Sequence, residues 1–201
     1  MAAQVKLAII YYSATGTLDT MARHAAQVGE KFGAEVRLRH VAELAPREAI
    51  EANEGWKQHR DQLDVEEPTP DDVVWADAVL FGSPTRYGNV ASQLKQFLDT
   101  LGPQWQAGQL ADKVYAGFTA SQTAHGGQES TLLALYNTIH HFGGYLVSPG
   151  YTAESKFVDG NPYGVSHVTG PTNDAPIEDE GRAALEHLVE RVIRVAGRLV
   201  A

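Results

Sequence analysis

The sequence predicts an α/β fold, with helices doubly wound about a parallel sheet, and three observations carry that expectation. Apolar, strand-like runs alternate with helical stripes about five times along the chain. The first run, Leu7-Ala8-Ile9-Ile10-Tyr11-Tyr12, is apolar on both faces, as a strand covered by helices on both sides must be. Three runs (Leu7 to Tyr12, Ala78 to Gly82, Val114 to Phe118) each break into a loop of small and hydroxyl residues that then opens a helix pattern. In a parallel sheet such loops all leave from the carboxyl-end edge. The three therefore converge on the rim where open α/β sheets bind ligands.

The elements follow in order. After the first loop, Leu18, Met21, Ala22, Ala25, Val28 and Phe32 recur at helical spacing, and Gly33 stops the stripe. Glu35 to His40, shorter and more polar, suits an edge strand. Residues 41–68 carry the weakest pattern: Glu48 to Gln62 reads either as a surface helix broken near Gly55 or as a long ordered loop. Thr69-Pro70-Asp71-Asp72 combines a hydroxyl cap, a proline at the first helical position and two acids in the first turn, which predicts a short helix leading into the strand Ala78 to Ser83.

Val90, Leu94, Phe97, Leu98 and Leu101 form the next stripe, ended by Gly102-Pro103. Lys113 to Phe118 is a strand. Leu132, Leu135, Tyr136, Ile139 and Phe142 make a helix stopped by Gly143-Gly144, and Tyr145 to Val147 a short strand. Gly150 to Pro176 reads as loop, with a turn at Asn161-Pro162-Tyr163-Gly164. Leu185, Leu188, Val189, Val192, Val195, Ala196 and Leu199 define a long closing helix.

Bulk properties narrow the function. The 201 residues, with no linker between two complete sets of elements, are expected to form one domain, 1–201. A net charge of −9 argues against nucleic acid, whose non-specific affinity comes from Lys and Arg on phosphates. The absence of cysteine removes disulfides, thiolate catalysis and zinc–thiolate sites. The amino terminus, Met1-Ala2-Ala3-Gln4-Val5-Lys6, lacks a basic segment followed by a long hydrophobic stretch. Neither a signal peptide nor a membrane span is expected, and the cytoplasm is the default location.

The loops carry the chemistry. Ser13-Ala14-Thr15-Gly16-Thr17 offers three hydroxyls and free backbone N–H groups at a helix amino terminus, a nest for a phosphate. It lacks the Gly-Lys-Ser/Thr ending of a nucleotide triphosphatase and the three-glycine dinucleotide fingerprint, which leaves a monophosphate on neutral donors or an ordinary helix cap. In Pro84-Thr85-Arg86-Tyr87-Gly88-Asn89, Gly88 and Asn89 tolerate left-handed backbone and Tyr87 can lie flat on a planar ring; the bland reading is a loop with an exposed aromatic. Residues Thr119 to Gly127 present backbone donors that would stabilise a ring gaining negative charge, or form a flexible turn. A flat redox ring with a phosphate tail, such as flavin mononucleotide (FMN), meets these requirements together.

Tyr11-Tyr12-Ser13-Ala14-Thr15-Gly16-Thr17, Phe81-Gly82-Ser83-Pro84-Thr85-Arg86-Tyr87-Gly88-Asn89 and His125-Gly126-Gly127-Gln128-Glu129 resemble the WrbA family of flavodoxin-like NAD(P)H:quinone oxidoreductases. Phe97-Leu98-Asp99 with Trp105, His141 before Gly143, Pro149-Gly150-Tyr151 and Asn161-Pro162-Tyr163-Gly164 extend the resemblance over nearly the whole chain. It implies a five-stranded sheet in the order 2-1-3-4-5, bound FMN, and a homotetramer whose active sites involve neighbouring subunits. By position, Ser13, Ala14, Thr15, Gly16, Thr17 and Leu18 would hold the phosphate. Pro84, Thr85, Arg86, Tyr87, Gly88 and Asn89, with Ala120, Ser121, Gln122, Thr123, Ala124, His125 and Gly126, would surround the flavin ring. Trp105 and His141 would wall the pocket where nicotinamide and quinone bind in turn, with His141 the candidate proton-transferring group. Thr15 is the second expected substrate contact, at a position where many members carry an aromatic residue; Thr17 stands where many carry a histidine.

The expected reaction is hydride transfer from NADH or NADPH to FMN, then two electrons to a quinone, with ping-pong kinetics. The alternatives are a flavodoxin-type one-electron carrier and a cofactor-free interaction protein. Other candidates read as structure. His140-His141 lacks metal-ligand spacing, so no metal is expected. Ser13 and Ser166 sit in no nucleophile elbow. Trp56 and Trp75 read as packing residues, and the acidic runs as solvated faces.

Overall fold

Two apolar faces of one sheet organise the molecule. The computed structural model describes residues 4–200, so the reading of Met1-Ala2-Ala3 lies outside the described residues. The strands are β1 (Lys6–Tyr11), β2 (Glu35–His40), β3 (Ala78–Pro84), β4 (Val114–Ser121), β5 (Tyr145–Leu146) and β6 (Val165–Val168). The helices are α1 (Thr17–Lys31), α2 (Arg47–Glu51), α3 (Glu54–Gln62), α4 (Pro70–Trp75), α5 (Ser92–Asp99), α6 (Gly102–Gln106), α7 (Gln128–Phe142), α8 (Glu154–Asp159) and α9 (Asp179–Leu199). All strand pairings are parallel, in the expected order β2-β1-β3-β4-β5.

Successive residues from Leu7 to Tyr12, along β1 and just past it, serve opposite layers. Leu7, Ile9 and Tyr11 join a core with α1 and α9, whereas Ala8, Ile10 and Tyr12 join one with α4, α5 and α7. The central strands approach closely at Gly82 on β3. A methyl group there would lie 2.3 Å from the Phe118 ring and 2.9 Å from Tyr11 Cβ, so only glycine fits.

The structure corrects several local expectations. The segment Gly150 to Pro176 is not all loop, because it holds α8 and β6. β5 pairs with Val114 and Tyr115 at the start of β4, and β6 pairs with Phe118–Ser121 at its end. The fifth sheet position is thus filled by two short pieces with an insertion between them, which hides its periodicity. Gly102-Pro103 opens α6 rather than only ending α5; proline in the first turn sacrifices no helical hydrogen bond. The break between α2 and α3 falls at Asn53, whose side chain caps α3 by accepting from Trp56 N–H, while Gly55 lies inside α3. Phe32 lies just past the end of α1 and is 40% exposed, and Val90 precedes α5. Thr69 and Asp72 form the reciprocal capping box at the start of α4. Among the described residues no helix is long and apolar enough to cross a membrane.

Candidate functional site

The rim at the carboxyl ends of β1, β3 and β4 is built from the three loops. In the first, Ser13 N–H donates to His40 Nε2 over 3.1 Å, which anchors the loop to the end of β2. Burial holds the His40 pKa below its ordinary value, which favours the neutral ring. Gly16 N–H donates to Ser13 Oγ over 3.0 Å, and Gly16 adopts φ +98° at the N-cap of α1. The N–H groups of Ala14, Thr15, Thr17 and Leu18 have no acceptor among the described residues. These donors stand at the positive end of a 15-residue helix.

In the second loop, Arg86 and Asn89 exchange backbone hydrogen bonds of 2.8 and 3.1 Å across a tight turn. Tyr87 (φ +54°) and Gly88 (φ +77°) occupy its tip, both left-handed. That geometry turns the Tyr87 side chain fully into solvent. Thr85 joins loops two and three: its hydroxyl donates to Gly126 O (3.2 Å) and accepts from Gly88 N–H (3.2 Å).

The third loop begins within β4, which supplies Ala120 and Ser121. Ser121 Oγ donates to Thr123 O at 2.7 Å, and Gln122 Nε2 donates to Pro171 O at 2.7 Å. The segment after β6 closes the far side. Thr169 Oγ1 donates to Asn173 Oδ1 (2.7 Å), and Asn173 Nδ2 donates to Thr15 Oγ1 (3.0 Å).

Together these segments enclose a cleft of about 580 Å³. Its walls include Ser13, Ala14, Thr15, Thr17 and Leu18; Pro84, Thr85 and Arg86; and Ala120, Ser121, Gln122, Thr123 and Gly126. Among the described residues Arg86 is the one charged residue lining it. Gly16 shapes the first loop without lining the cleft, and Tyr87, Gly88, Asn89, Ala124 and His125 also lie outside its lining. Tyr87 in particular is fully exposed.

Trp105 and His141 are not brought to this cleft. Trp105 Nε1 donates to His141 O over 2.7 Å, and both residues line a separate depression of about 350 Å³. A third cavity, about 510 Å³, shares Trp56 and Arg86 with the cleft, and Lys95 and Thr138 with the Trp105 depression. The three thus run in a row along one side of the molecule.

Four cleft residues escaped the sequence reading: Asn53, Trp56, Thr169 and Asn173. Trp56 belongs to neither core cluster, which corrects its reading as a packing residue. A lone aromatic in the charged stretch 46–62 was the available signal. Thr169 and Asn173 follow a strand that has no sequence periodicity of its own. Trp75, by contrast, packs under the Arg37 guanidinium, 4.0 Å from the ring centre. Among the described residues no three His, Asp or Glu side chains are grouped to hold a metal.

The family model for NADPH-dependent FMN reductase matches residues 5–159. The chain belongs to this family. Relatives within it include a protein from Deinococcus radiodurans named NAD(P)H dehydrogenase (quinone), 46% identical with both chains covered in full. A protein of the same name from Geotalea daltonii is 36% identical, with 98% of each chain covered. Among solved structures, a flavodoxin, WrbA-like protein from Agrobacterium tumefaciens superposes with a TM-score of 0.69 at 23% identity, covering 98% of this chain and 100% of its own. Two-electron reduced Megasphaera elsdenii flavodoxin gives 0.57 at 17% identity over 94% and 98%. These structural likenesses establish the flavodoxin-like fold of the family member described here.

Proposed function

We propose that this protein, as a single domain, is an FMN-dependent NAD(P)H:quinone oxidoreductase. The observation that carries the reading is the donor set of the cleft. Unpartnered N–H groups at Ala14, Thr15, Thr17 and Leu18, with the Ser13 and Thr17 hydroxyls nearby, meet the needs of a phosphate, and among the described residues no carboxylate lines the space to repel one. The cleft volume is also in the range of sites for molecules of cofactor size. Family membership and the relatives' name supply the reaction class.

In this reading Ser13 to Leu18 hold the phosphate, with Gly16 giving the loop its turn. Pro84 to Arg86 and Ala120 to Gly126 border the ring, and the Gln122 and Thr123 N–H groups, which meet no acceptor among the described residues, favour its reduced, more negative form. FMN supplies two-electron exchange between NAD(P)H and a quinone. The protein binds and orients the ring and leaves one face open to reactants that replace each other. Parallel initial-rate lines are expected; intersecting lines would exclude that ping-pong order.

Trp105 and His141 line their own depression in one chain, so a reactant pocket walled by them is completed by a neighbouring copy, as a homotetramer provides. His141 is assigned the proton there, and unchanged turnover in His141→Ala would remove it. The cytoplasm is the assigned location. The deciding experiment is anaerobic NADH titration of FMN-loaded protein, then benzoquinone, followed by flavin absorbance. Stoichiometric bleaching and full recovery are expected. A protein that binds no FMN, or bound FMN that NADH and NADPH leave oxidised, would refute the assignment.

A further inference from the structure

Among the described residues Trp56 is the one aromatic side chain lining the main cleft, and it is also the partition between that cleft and two neighbouring cavities. It packs into neither hydrophobic core, and α3, which carries it, buries no residue fully. Two hydrogen bonds nevertheless fix it. Its backbone N–H donates to the Asn53 cap (3.0 Å), and its indole Nε1–H donates to Glu43 Oε2 (2.9 Å). An exposed surface tryptophan has no need of such a tether.

Glu43 is held in turn. Its carboxylate also accepts from Tyr12 OH (2.8 Å), Gln93 Nε2 (2.8 Å) and the Leu44 and Ala45 N–H groups (both 2.9 Å). Tyr12 immediately precedes the phosphate-nest loop, and Gln93 sits on α5. The carboxylate thus ties the indole in register with the first loop and with the sheet layer beneath it.

We propose that Trp56 is the aromatic wall against which a bound flavin ring lies, and that Glu43 is the positioning residue that fixes it. The inference rests on the cofactor reading above. It replaces Tyr87, which points to solvent, with a residue from the least patterned part of the chain. The tether draws the polar indole edge to Glu43 and leaves the ring as an apolar surface at the cleft, as a wall for a planar ligand requires.

The test is FMN titration of apoprotein, reading the dissociation constant and the emission of the bound flavin. An indole in contact with oxidised flavin quenches its emission by donating an electron to the excited ring. Trp56→Leu is expected to weaken FMN binding about tenfold and to restore severalfold emission. Trp56→Phe, the milder change, shifts both in the same direction by less. Glu43→Ala, which keeps the indole but frees it, raises emission, and Glu43→Gln, which turns one of the two accepting oxygens into a donor, raises it by less. Affinity and emission unchanged in both Trp56 variants, with wild type binding FMN, would overturn this inference alone. Glu43→Ala indistinguishable from wild type would overturn the positioning role. Failure of wild-type protein to bind FMN would overturn the cofactor reading and this inference together.

Discussion

The buried pair Lys156–Asp159 offers the sharpest test of how the far wall of the cleft is held. Both side chains are almost completely enclosed, at 0% and 1% exposure. Lys156 Nζ also donates to Gly164 O (2.7 Å), and Asp159 Oδ1 accepts from Ser166 N–H (3.1 Å). The pair therefore clamps the chain where it enters β6, the strand that delivers Thr169 and Asn173 to the cleft. Desolvation offsets most of the attraction in an intact buried pair, but removing one partner leaves a charge without compensation and costs about 3–5 kcal/mol.

For Asp159→Asn the lysine has an escape. Burial already pushes its pKa down and Asp159 pulls it back up, so losing the carboxylate lowers it further and brings the neutral amine within easier reach. The expected loss is then near the lower end, about 3 kcal/mol, or a melting temperature lower by about 6–12 °C for a protein of this size. The sign of the pH effect is distinctive. The folded lysine binds a proton less tightly than the unfolded one, so the variant gains stability as pH rises from its lowered pKa to about 10.4. Thermal unfolding at several pH values reads both numbers. Lys156→Met combined with Asp159→Asn should recover most of the loss, because a neutral pair leaves no charge stranded. A cost below about 1 kcal/mol for Asp159→Asn, the value of an exposed pair, would refute the clamp.

Three further outcomes follow from the same physics. Burial pushes the Asp72 carboxyl up, but the Thr69 N–H and the Arg39 and Arg37 guanidinium groups outweigh it and hold it below the usual range. The stability it contributes is present above the unfolded pKa and is lost as pH falls through the folded one; acid unfolding of Asp72→Asn should lack that step below about pH 3.9. His40, buried and lowered, behaves in the same direction at higher pH: wild type should lose stability as pH falls below about 6.5, and chemical denaturation of His40→Gln should show a flatter profile between about pH 7 and 5. Gly82→Ala should cost about 1–3 kcal/mol in denaturant unfolding, because the new methyl meets the Phe118 ring between two central strands; an unchanged midpoint would mean that the strands part freely there.

Legibility in the sequence tracked local periodicity. β1, β3 and β4 were readable because each is buried on both faces and so writes an unbroken apolar run. β2 was readable from its bounds and its polar edge character, and α4 from its capping box. The sheet order was legible only through resemblance, since it depends on which strands pair over long separations. β6 was hidden because four residues, Val165–Val168, are too few to show a period. Much of the cleft was legible for one reason: parallel topology sends three loops to one rim. The exposure of Tyr87 was not legible because side-chain direction depends on a left-handed turn that composition permits without dictating. Trp56 was misjudged because its anchor, Glu43, lies 13 residues away in a segment with no repeating pattern.

The cleft therefore has two kinds of wall with different physical origins. The loops after β1, β3 and β4 are extensions of strands that carry the ladder and both cores, so opening them means opening the sheet. Trp56 and Asn173 reach the cleft from segments tied mainly through side chains, to Glu43 in one case and to Thr15 and Thr169 in the other. Each such tether contributes on the order of 1 kcal/mol. A change in either segment can alter what the cleft accepts without taxing the fold, whereas a change in the strand-end loops is felt throughout the sheet. The sheet edge explains why free N–H groups gather after β1 at this rim; on the proposed cofactor reading, the tethered walls are where selectivity would be tuned.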